Sequence, residues 1–405
     1  MTKLLLINTT LNIGSTGRIV EQIASMASMN GVECFIAHGG RYVGKSNFNA
    51  IKISSKLDNY IHAIEGEYLG RHGLGSYLST LKFVELIREL NPDIIHLHNI
   101  HGYYLNYKVL LEYLSTVNIP IVWTLHDCWT FTGHCTHFDN VGCDKWKTGC
   151  ESCPLLMAQY KSRLFDKTDY NYMLKRNLYK SLTNVTIVPV SYWLSQFIPD
   201  SILSQFNVKV IQNGIDINVF KPTPNKIREK FNIPTNKTIV LGVLGSGFGL
   251  EKGKKEFVEL AKYDDIQIIL LGLTNKDSKG IPDNVIKLGR TSSQIELAEF
   301  YSAADIFLNP TYNDTFPTTN IEAMACGTPS VAYRTGGCSE IIDESTGILV
   351  TKGDFDGLLR AIKIVRNNGK PYYSNACRER AVANFNKDDR FLDYINLYNE
   401  LPRKG

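Results

Sequence analysis

The sequence lacks the features that would mark a membrane-spanning, secreted or nucleic-acid-binding protein. No stretch reaches 18 consecutive apolar residues, so we expect no transmembrane helix. The apolar run before Asn8 is too short for the core of a signal peptide and is interpreted as the first strand of the fold. The mild net charge of +4 argues against nucleic acid but permits an anionic substrate or membrane surface. We therefore expect a cytoplasmic protein, whose nine cysteines would be thiols or metal ligands rather than disulfides.

What is present is a length of 405 residues and an ordinary globular composition, with 43% apolar and 21% charged residues. Short apolar runs alternate with helical patterns such as 18–30 and 81–90. The predicted strands of the first half are 4–7, 33–37, 93–96, 120–125 and 186–190; those of the second half are 239–244, 267–271, 285–288, 305–308, 330–333 and 348–350. This alternation predicts an α/β protein with two doubly wound parallel sheets. The break falls at 212–224, where a turn pair and two prolines interrupt the periodicity.

The most informative segment is 304–337. A buried strand is predicted to end at Asn309-Pro310, because proline cannot continue the ladder. Thr318, Thr319 and Asn320 are cap-type residues that precede strong helix formers at 321–325. Free backbone N–H groups at 318–321, at the carboxyl end of a strand, suit phosphate.

Two acids flank this phosphate site, Asp314 before the helix and Glu322 in its predicted first turn. A carboxylate beside a phosphate site is costly unless it binds hydroxyls, so a ribose or sugar is the expected partner. A generic helix cap, with Glu322 stabilising the helix dipole, is the alternative interpretation.

The run EAMACGTP at 322–329, preceded by an acid at Asp314, resembles the signature of the family 4 glycosyltransferases, retaining enzymes of the GT-B fold. Asp314 stands where the family usually has Glu, and Pro317 where it usually has Gly. The segments DTFPTTNIEA and HDCWTFTGHC are similar to those of transferases that build bacterial capsule, exopolysaccharide or colanic acid.

The resemblance implies two Rossmann-like domains facing across a cleft. The first, 1–212, would bind the acceptor, with a Cys-rich loop at 128–153 and a terminal helix at 388–405 packing back on it. The second, 213–387, would bind a nucleotide sugar. The implied function is transfer of a hexose to a growing, lipid-linked glycan. A same-fold epimerase or phosphorylase, and a non-catalytic sugar-binding or assembly protein, are the alternatives.

The resemblance also implies roles for single residues. Lys252 matches the family's phosphate-contacting lysine; the partner arginine is missing from 244–249, and Arg290 is the candidate replacement. His98 and His101 are expected on the acceptor side. The catalytic residues would be His126, Asp314 and Glu322, and the donor-binding residues Gly14, Gly17, Lys252, Arg290, Phe316, Thr318, Thr319, Asn320 and Glu322.

No carboxylate is obviously placed as a nucleophile, which favours front-face attack. No Asp-x-Asp pair directly follows a predicted strand, so we expect no catalytic metal.

Five of the nine cysteines lie in 128–153, where Cys135, Cys143, Cys150 and Cys153 form C-x7-C-x6-C-x2-C. The terminal C-x2-C spacing lets two thiolates meet one tetrahedral metal, so a structural zinc is predicted. Reduced cysteines packed as small hydrophobes, or disulfides, are the alternatives. Separately, basic residues at 161–180 suggest peripheral contact with anionic lipid at the inner face of a membrane, with a solvated helix face as the alternative.

Overall fold

The computed structural model describes residues 1–158, 160–245 and 250–402. The chain divides into two compact units, each built on its own parallel sheet. Unit 1 comprises Met1–Gln212 together with the chain from Arg390 onward, and unit 2 comprises Asn213–Asp389.

Unit 1 has seven parallel strands in the order β3-β2-β1-β4-β5-β6-β7. Its elements are β1 (Lys3–Asn8), α1 (Gly14–Met29), β2 (Glu33–His38), β3 (Asn49–Lys52), α2 (Lys56–Leu69), α3 (Tyr77–Leu90), β4 (Ile94–Leu97), α4 (Tyr107–Leu114), β5 (Ile121–Leu125), α5 (Thr168–Lys180), β6 (Val185–Pro189), α6 (Tyr192–Ser195) and β7 (Asn207–Val208). The helix predicted at 18–30 in fact begins at Gly14. The prediction missed its first turn because that turn has the sequence Gly-Ser-Thr-Gly, which is typical of a loop.

Unit 2 has six parallel strands in the order β10-β9-β8-β11-β12-β13. Its elements are α7 (Ile227–Lys230), β8 (Thr238–Val243), α8 (Lys254–Leu260), β9 (Ile266–Leu271), β10 (Ile286–Lys287), α9 (Gln294–Ala303), β11 (Ile306–Asn309), α10 (Thr318–Ala325), β12 (Ser330–Tyr333), α11 (Cys338–Ile341), β13 (Gly347–Val350), α12 (Phe355–Asn368) and α13 (Lys370–Phe385). A final helix, α14 (Lys387–Glu400), runs from unit 2 into unit 1.

The central strands β1, β4, β5 and β6 of unit 1 are buried on both faces because they are mostly apolar. Leu5 and Ile7 of β1 join the core on one face, which also holds the aromatic residues of segment 129–146. Leu4 and Leu6 point to the other face, which α1 and the second half of α14 cover. From α14, Phe391, Tyr394, Ile395, Leu397 and Tyr398 are buried there.

None of the helices in the described ranges is long and apolar enough to cross a membrane.

Histidine and tryptophan are both confined to unit 1: all nine histidines and all four tryptophans precede residue 212. His62, His72, His96 and His98 are almost completely buried. Burial lowers the pKa of His62 and of His72 to about 3, and burial with neighbouring histidines lowers the pKa values of His96 and His98 well below 6.5.

We predict that acid destabilises unit 1 selectively. Below pH 6.5 the unfolded chain binds protons at these four histidines while the folded chain does not, so stability present above pH 6.5 is lost as the pH falls. At pH 5.5 the loss is about 1.4 kcal/mol for each histidine. Tryptophan fluorescence reports unit 1 alone, and its thermal midpoint should fall between pH 7.5 and 5.5. An unchanged midpoint would contradict the prediction.

Candidate functional site

The strand order of unit 2 places a ligand crevice at the carboxyl ends of β8 and β11. From β8 the chain runs outward through β9 and β10, then returns to the other side of β8 as β11, β12 and β13. Ligands of open parallel sheets bind where the order reverses in this way, because the two connecting loops diverge there. The loops after β8 and β11, together with helix α10, carry six of the nine predicted donor-binding residues.

Lys252, in the short helical turn Leu250–Lys252, contacts the loop after β11. Its Nζ donates to Thr311 Oγ1 at 3.2 Å and to the Asn313 carbonyl at 3.1 Å. The same Nζ lies 3.6 Å from Asp314 Oδ2, and both side chains remain partly exposed. The structure therefore brings two predicted site residues, 62 positions apart in the sequence, into one ion pair.

Two glycines allow this close approach of the loops. A Cβ on Gly253, which has φ +75°, would lie 2.2 Å from Pro310 Cγ. A Cβ on Gly336, which has φ +51°, would lie 1.7 Å from the Asp314 carbonyl oxygen. Both glycines have a left-handed backbone, and at both positions a Cβ would overlap a neighbouring atom. Only glycine is therefore accommodated.

Helix α10 begins at Thr318, with Pro317 as its N-cap and no side-chain cap. The interpretation of Thr318, Thr319 and Asn320 as capping residues is therefore wrong, because proline with its extended ψ starts the helix earlier. Asn320 is buried, and its Oδ1 accepts a hydrogen bond from Asn309 Nδ2 at 2.7 Å.

Glu322 is the fifth residue of α10 rather than part of its first turn, which contains no acid. It is largely buried, and its Oε2 accepts a hydrogen bond from Tyr301 OH at 3.0 Å. Dipole stabilisation at the helix start therefore does not explain this carboxylate. Tyr301, which fixes it, lies on α9 and was not identified from the sequence.

The remaining predicted donor residues have different surroundings. Phe316 is buried with its ring 5.9 Å from that of Phe385, so its side chain belongs to the core. Arg290 is exposed, and its guanidinium donates to the Gly245 carbonyl at 3.1 Å, next to the end of β8. The segment 246–249, where the family's arginine is missing, lies outside the described residues.

A carboxylate that the sequence analysis missed supports the same loop. Glu256 of α8 is buried, and its Oε1 accepts hydrogen bonds from Tyr312 OH at 2.7 Å and Tyr333 OH at 3.1 Å. Tyr312 stands between Lys252's two hydrogen-bond acceptors, so Glu256 holds the loop after β11 from beneath. Only its burial among residues distant in sequence reveals this role.

In unit 1 the strand order reverses between β1 and β4, and the corresponding loops carry the other predicted residues. Gly14 is exposed with φ +72°, and a Cβ there would meet only open space. Gly17 is buried, and a Cβ there would lie 2.6 Å from Thr10 Oγ1. Gly17 therefore serves the packing of α1 on the loop after β1, while Gly14 leaves the start of α1 accessible.

His126 and His98 are paired at the ends of β5 and β4. His98 Nδ1 lies 3.1 Å from His126 Nε2, and the rings stack with centroids 5.4 Å apart. Burial, opposed by Asp127, lowers the pKa of His126 to about 4, so its imidazole is neutral at pH 7.

The tautomers of this pair follow from the surroundings of His98 Nε2. His98 Nε2 is buried without a hydrogen bond among the described residues. Because buried orphan N–H groups are rarer than orphan acceptors, we assign the His98 proton to Nδ1, which then donates to His126 Nε2. His126 then carries its own proton on Nδ1, for which no hydrogen bond is seen within the described residues.

Helix α14 supports this pair through His96. The rings of His96 and His98 lie 4.0 Å apart. His96 Nδ1 is 2.6 Å from Tyr398 OH, and its Nε2 is 2.8 Å from Thr124 Oγ1, which contacts Tyr394 OH at 3.1 Å. Two tyrosines at the end of the chain thus fix the histidine beneath the predicted site.

His101 forms a separate group with Asp127. Its Nε2 lies 2.9 Å from Asp127 Oδ2 and its Nδ1 lies 2.6 Å from Tyr160 OH. Although burial acts to raise it, His101 and the Trp129 backbone N–H together hold the pKa of Asp127 below its usual value. The three predicted histidines therefore fall into two separate groups. His98 pairs with His126, and His101 pairs with Asp127.

The cysteines of segment 128–153 are all free thiols. Cys135, Cys143, Cys150 and Cys153 line one cavity of about 10 Å³. Burial and then the three other cysteines raise the pKa of the Cys135 thiol to about 12. Within the described residues, no group of three or more His, Cys, Asp or Glu side chains is arranged to hold a metal ion. Stacking among Phe131, Phe138 and Trp146 packs the segment onto the core of unit 1.

Comparison with known proteins identifies matches along almost the whole chain. Residues 17–219 match the family model "Glycosyltransferase Family 4" and residues 224–382 match "Glycosyl transferases group 1". The putative colanic acid biosynthesis glycosyl transferase WcaC of Escherichia coli K12 is 25% identical over 335 residues, which cover 78% of each chain.

Solved structures resemble the whole chain in fold. Sucrose-phosphate synthase from Thermosynechococcus elongatus has a TM-score of 0.74 and 21% identity, covering 99% of both chains. HepE from Anabaena, solved in complex with UDP, has a TM-score of 0.67 and 18% identity, covering 99% of this chain and all of that one.

We predict that Tyr398→Phe destabilises unit 1. The change leaves His96 Nδ1 buried without its partner, which should lower the free energy of unfolding by about 1–3 kcal/mol. Urea unfolding followed by tryptophan fluorescence measures the effect. Tyr60→Phe, at an exposed position of unit 1, is the matched control and should leave the unfolding free energy unchanged. Equal stability of Tyr398→Phe and the natural protein would refute the proposed hydrogen bond.

Proposed function

This chain belongs to glycosyltransferase family 4, and we propose that it transfers a hexose from a nucleotide sugar to a growing, lipid-linked glycan with retention at the anomeric carbon. The observation that carries the proposal is the ion pair between Lys252 and Asp314 at the reversal point of the unit 2 sheet, on the loop that leads into the helix bearing Glu322. The colanic acid relative supports a role in the synthesis of a bacterial surface polysaccharide. The neighbour solved with UDP supports a nucleotide sugar as donor.

The donor site of unit 2 would work without a catalytic metal. Lys252 already lies against a carboxylate, and a diphosphate entering the crevice would offer it a second anionic partner. Arg290 and the uncapped N–H groups at the start of α10 would share the remaining charge. Asp314 would accept hydrogen bonds from sugar hydroxyls, and Glu322 from the ribose diol.

We favour front-face attack for the transfer step. The acceptor oxygen forms a bond to the anomeric carbon on the face from which the diphosphate departs. The bond from the anomeric carbon to the diphosphate oxygen breaks, and its electron pair leaves with that oxygen. The departing diphosphate then takes the proton of the acceptor hydroxyl, so no protein nucleophile is required. Lys252 and the backbone amides would stabilise the developing negative charge.

His126 would act as a neutral hydrogen-bond donor rather than as a cation. Its pKa of about 4 and its pairing with His98 leave Nδ1–H available for a hydroxyl or phosphate oxygen. His101, held by Asp127 and Tyr160, would support the acceptor side within unit 1.

The experiment that tests transfer uses labelled UDP-glucose and other nucleotide sugars with a lipid-diphosphate glycan acceptor. Transfer should yield a longer glycan and a free nucleoside diphosphate. Isomerised nucleotide sugar would indicate an epimerase, and binding without turnover a non-catalytic sugar-binding protein. Family membership favours transfer over both.

We predict that Glu322→Gln weakens nucleotide binding about tenfold or more, because a charged hydrogen bond to the ribose is worth roughly 1.5–3 kcal/mol. Gln keeps an acceptor for Tyr301 OH, so the fold is preserved better than in Glu322→Ala, which would leave that buried hydroxyl without its partner. Calorimetry with UDP and UDP-glucose measures the affinity. The control is Glu379→Gln, an exposed acid of α13. Undiminished affinity in Glu322→Gln would disprove the ribose assignment.

We further propose that the cavity between Cys135, Cys143, Cys150 and Cys153 takes a structural zinc ion. Its support is that these four cysteines, spread over 19 residues, line one cavity and that the other three lie close enough to Cys135 to raise the pKa of its thiol. Thiolates in a closed set of four leave no open coordination position, so the metal would not contact substrate. It would fix the segment that follows His126.

We predict that Cys150→Ser with Cys153→Ser releases zinc, lowers thermal stability and impairs acceptor use more than donor binding. Elemental analysis of protein purified without chelator measures the metal content. Cys34→Ser, outside the segment, should retain full zinc content. Natural protein free of zinc would eliminate this proposal, leaving the thiols as buried apolar groups.

A further inference from the structure

Helix α2 directs an apolar stripe toward solvent. Leu57, Tyr60, Ile61, Ile64 and Tyr68 follow the spacing of one helix face, and each is between 42% and 68% exposed. The opposite face of α2 is the buried one, and it carries Asn59, His62 and Gly66. The usual distribution of an amphipathic helix is therefore inverted, since its large apolar side chains lie outside.

The exposed apolar surface continues onto neighbouring elements. The start of α3 touches the start of α2 through Ser79 and Asp58, and the Arg163 backbone N–H donates to the Glu67 carbonyl at 2.7 Å. A groove of about 480 Å³ joins the end of α2, the start of α3 and the start of α5. We call this continuous surface the α2 face; besides the stripe it includes the exposed residues Leu69, Tyr77, Leu78, Leu81, Leu164, Phe165 and Tyr170.

Basic residues surround the α2 face. Two acids beside the face form ion pairs. Glu67 of α2 pairs with Arg163, and Glu112 of α4 lies 3.7 Å from Lys108. The exposed cations at or beside the face are Lys56, Arg71, Lys82, Lys161 and Lys167, and they outnumber the exposed acids Asp166 and Asp169 beside it. A large apolar surface with a basic rim matches an anionic lipid surface in both respects.

The expectation that 161–180 forms a basic face is wrong at Lys175. Lys175 is buried, and its Nζ donates to the Thr132 carbonyl at 2.9 Å and lies 3.3 Å from the Trp129 ring centroid. Leu174 and Leu178 pack against the core of unit 1. Of this segment, only the residues before α5 and its first turn contribute to the α2 face.

We propose that the α2 face lies flat on an anionic lipid bilayer, an inference that rests on the proposed function only for the lipid-linked nature of the acceptor. Its aliphatic side chains would enter the headgroup boundary. Tyr60, Tyr68, Tyr77 and Tyr170 carry the amphipathic ring that is enriched at that depth. The lysines and arginines would contact phosphate groups.

The inward side of α2 connects this surface to the predicted acceptor residues. A Cβ on Gly66 would lie 2.8 Å from Tyr103, whose ring centroid is 5.5 Å from that of Tyr160. Tyr160 is in turn bonded to His101. The lipid-facing helix thus packs directly on the loop of unit 1 where a lipid-linked acceptor would be bound.

Sedimentation with vesicles tests the proposal on the full chain. The natural protein should bind vesicles of phosphatidylglycerol and phosphatidylethanolamine and bind phosphatidylcholine vesicles much less. Leu57→Ser with Ile61→Ser and Ile64→Ser should lower binding about tenfold or more.

Lys56→Gln with Lys82→Gln and Lys167→Gln should lower binding to the anionic vesicles about fivefold per charge and reduce its salt sensitivity. The matched control, Ile295→Ser with Ile364→Ser and Tyr372→Ser, removes equally exposed apolar residues from unit 2 and should bind as the natural protein does.

Thermal unfolding and UDP affinity are measured in parallel for every variant. Loss of vesicle binding with both unchanged supports the proposal. Failure of the natural protein to bind anionic vesicles, or full binding by the α2 triple variant, overturns it. A dimer in ultracentrifugation that the α2 triple variant abolishes, without vesicle binding, would also overturn it and assign the face to self-association. If the natural protein bound anionic vesicles but not UDP, the proposed function would be rejected while the lipid-binding surface would be retained.

Discussion

The loop after β11 is the element on which the proposed donor site depends, because two neighbouring loops hold it. Lys252 binds it from the loop after β8, and Tyr312 N donates to the Glu251 carbonyl at 2.9 Å. From the loop after β12, Thr335 Oγ1 bonds to the Thr311 carbonyl and Gly337 N to the Thr315 carbonyl, both at 2.9 Å. Gly253 and Gly336 make these approaches sterically possible. Asp314 is therefore presented on a rigid loop, and preorganised charge of this kind is what a transfer reaction through a charged leaving group needs.

The distinctive feature of unit 1 is a set of buried histidines that stay uncharged. His96 satisfies both ring nitrogens with Tyr398 and Thr124, and it stacks on His98, which bonds to His126. Desolvation keeps these rings neutral, so they serve as directional donors and acceptors at pH 7. Because Tyr394 and Tyr398 come from the last helix of the chain, the shape of the predicted catalytic histidine pair depends on docking of the C-terminus. Docking of α14 therefore contributes both to the stability of unit 1 and to the position of these histidines.

The α2 face and the loop bearing His101 are two sides of one helix–loop packing. The buried side of α2 contacts Tyr103, and the exposed side carries the apolar stripe and part of its basic rim. A glycan chain carried on a lipid would keep its anchor in the bilayer while its sugar end reaches the residues of unit 1. The inverted polarity of α2 then follows from a surrounding that is lipid on one side and protein on the other.

The sequence alone determined the fold class, because uninterrupted apolar strands alternating with helices admit little besides two parallel sheets, and the EAMACGTP run carried the family. By resemblance it also predicted Lys252, Asp314 and Glu322 as residues of one site, and the structure brings Lys252 and Asp314 into an ion pair. It misplaced the start of α10, since Thr and Asn have strong capping preferences and Pro317 took the position instead. Tyr301, Glu256 and Tyr398 have no local pattern at all; their roles arise from hydrogen bonds to residues between 21 and 302 positions away. The exposed stripe of α2 was equally beyond the sequence, because helical periodicity reveals that a helix has an apolar face, whereas only tertiary packing decides whether that face is turned inward or outward.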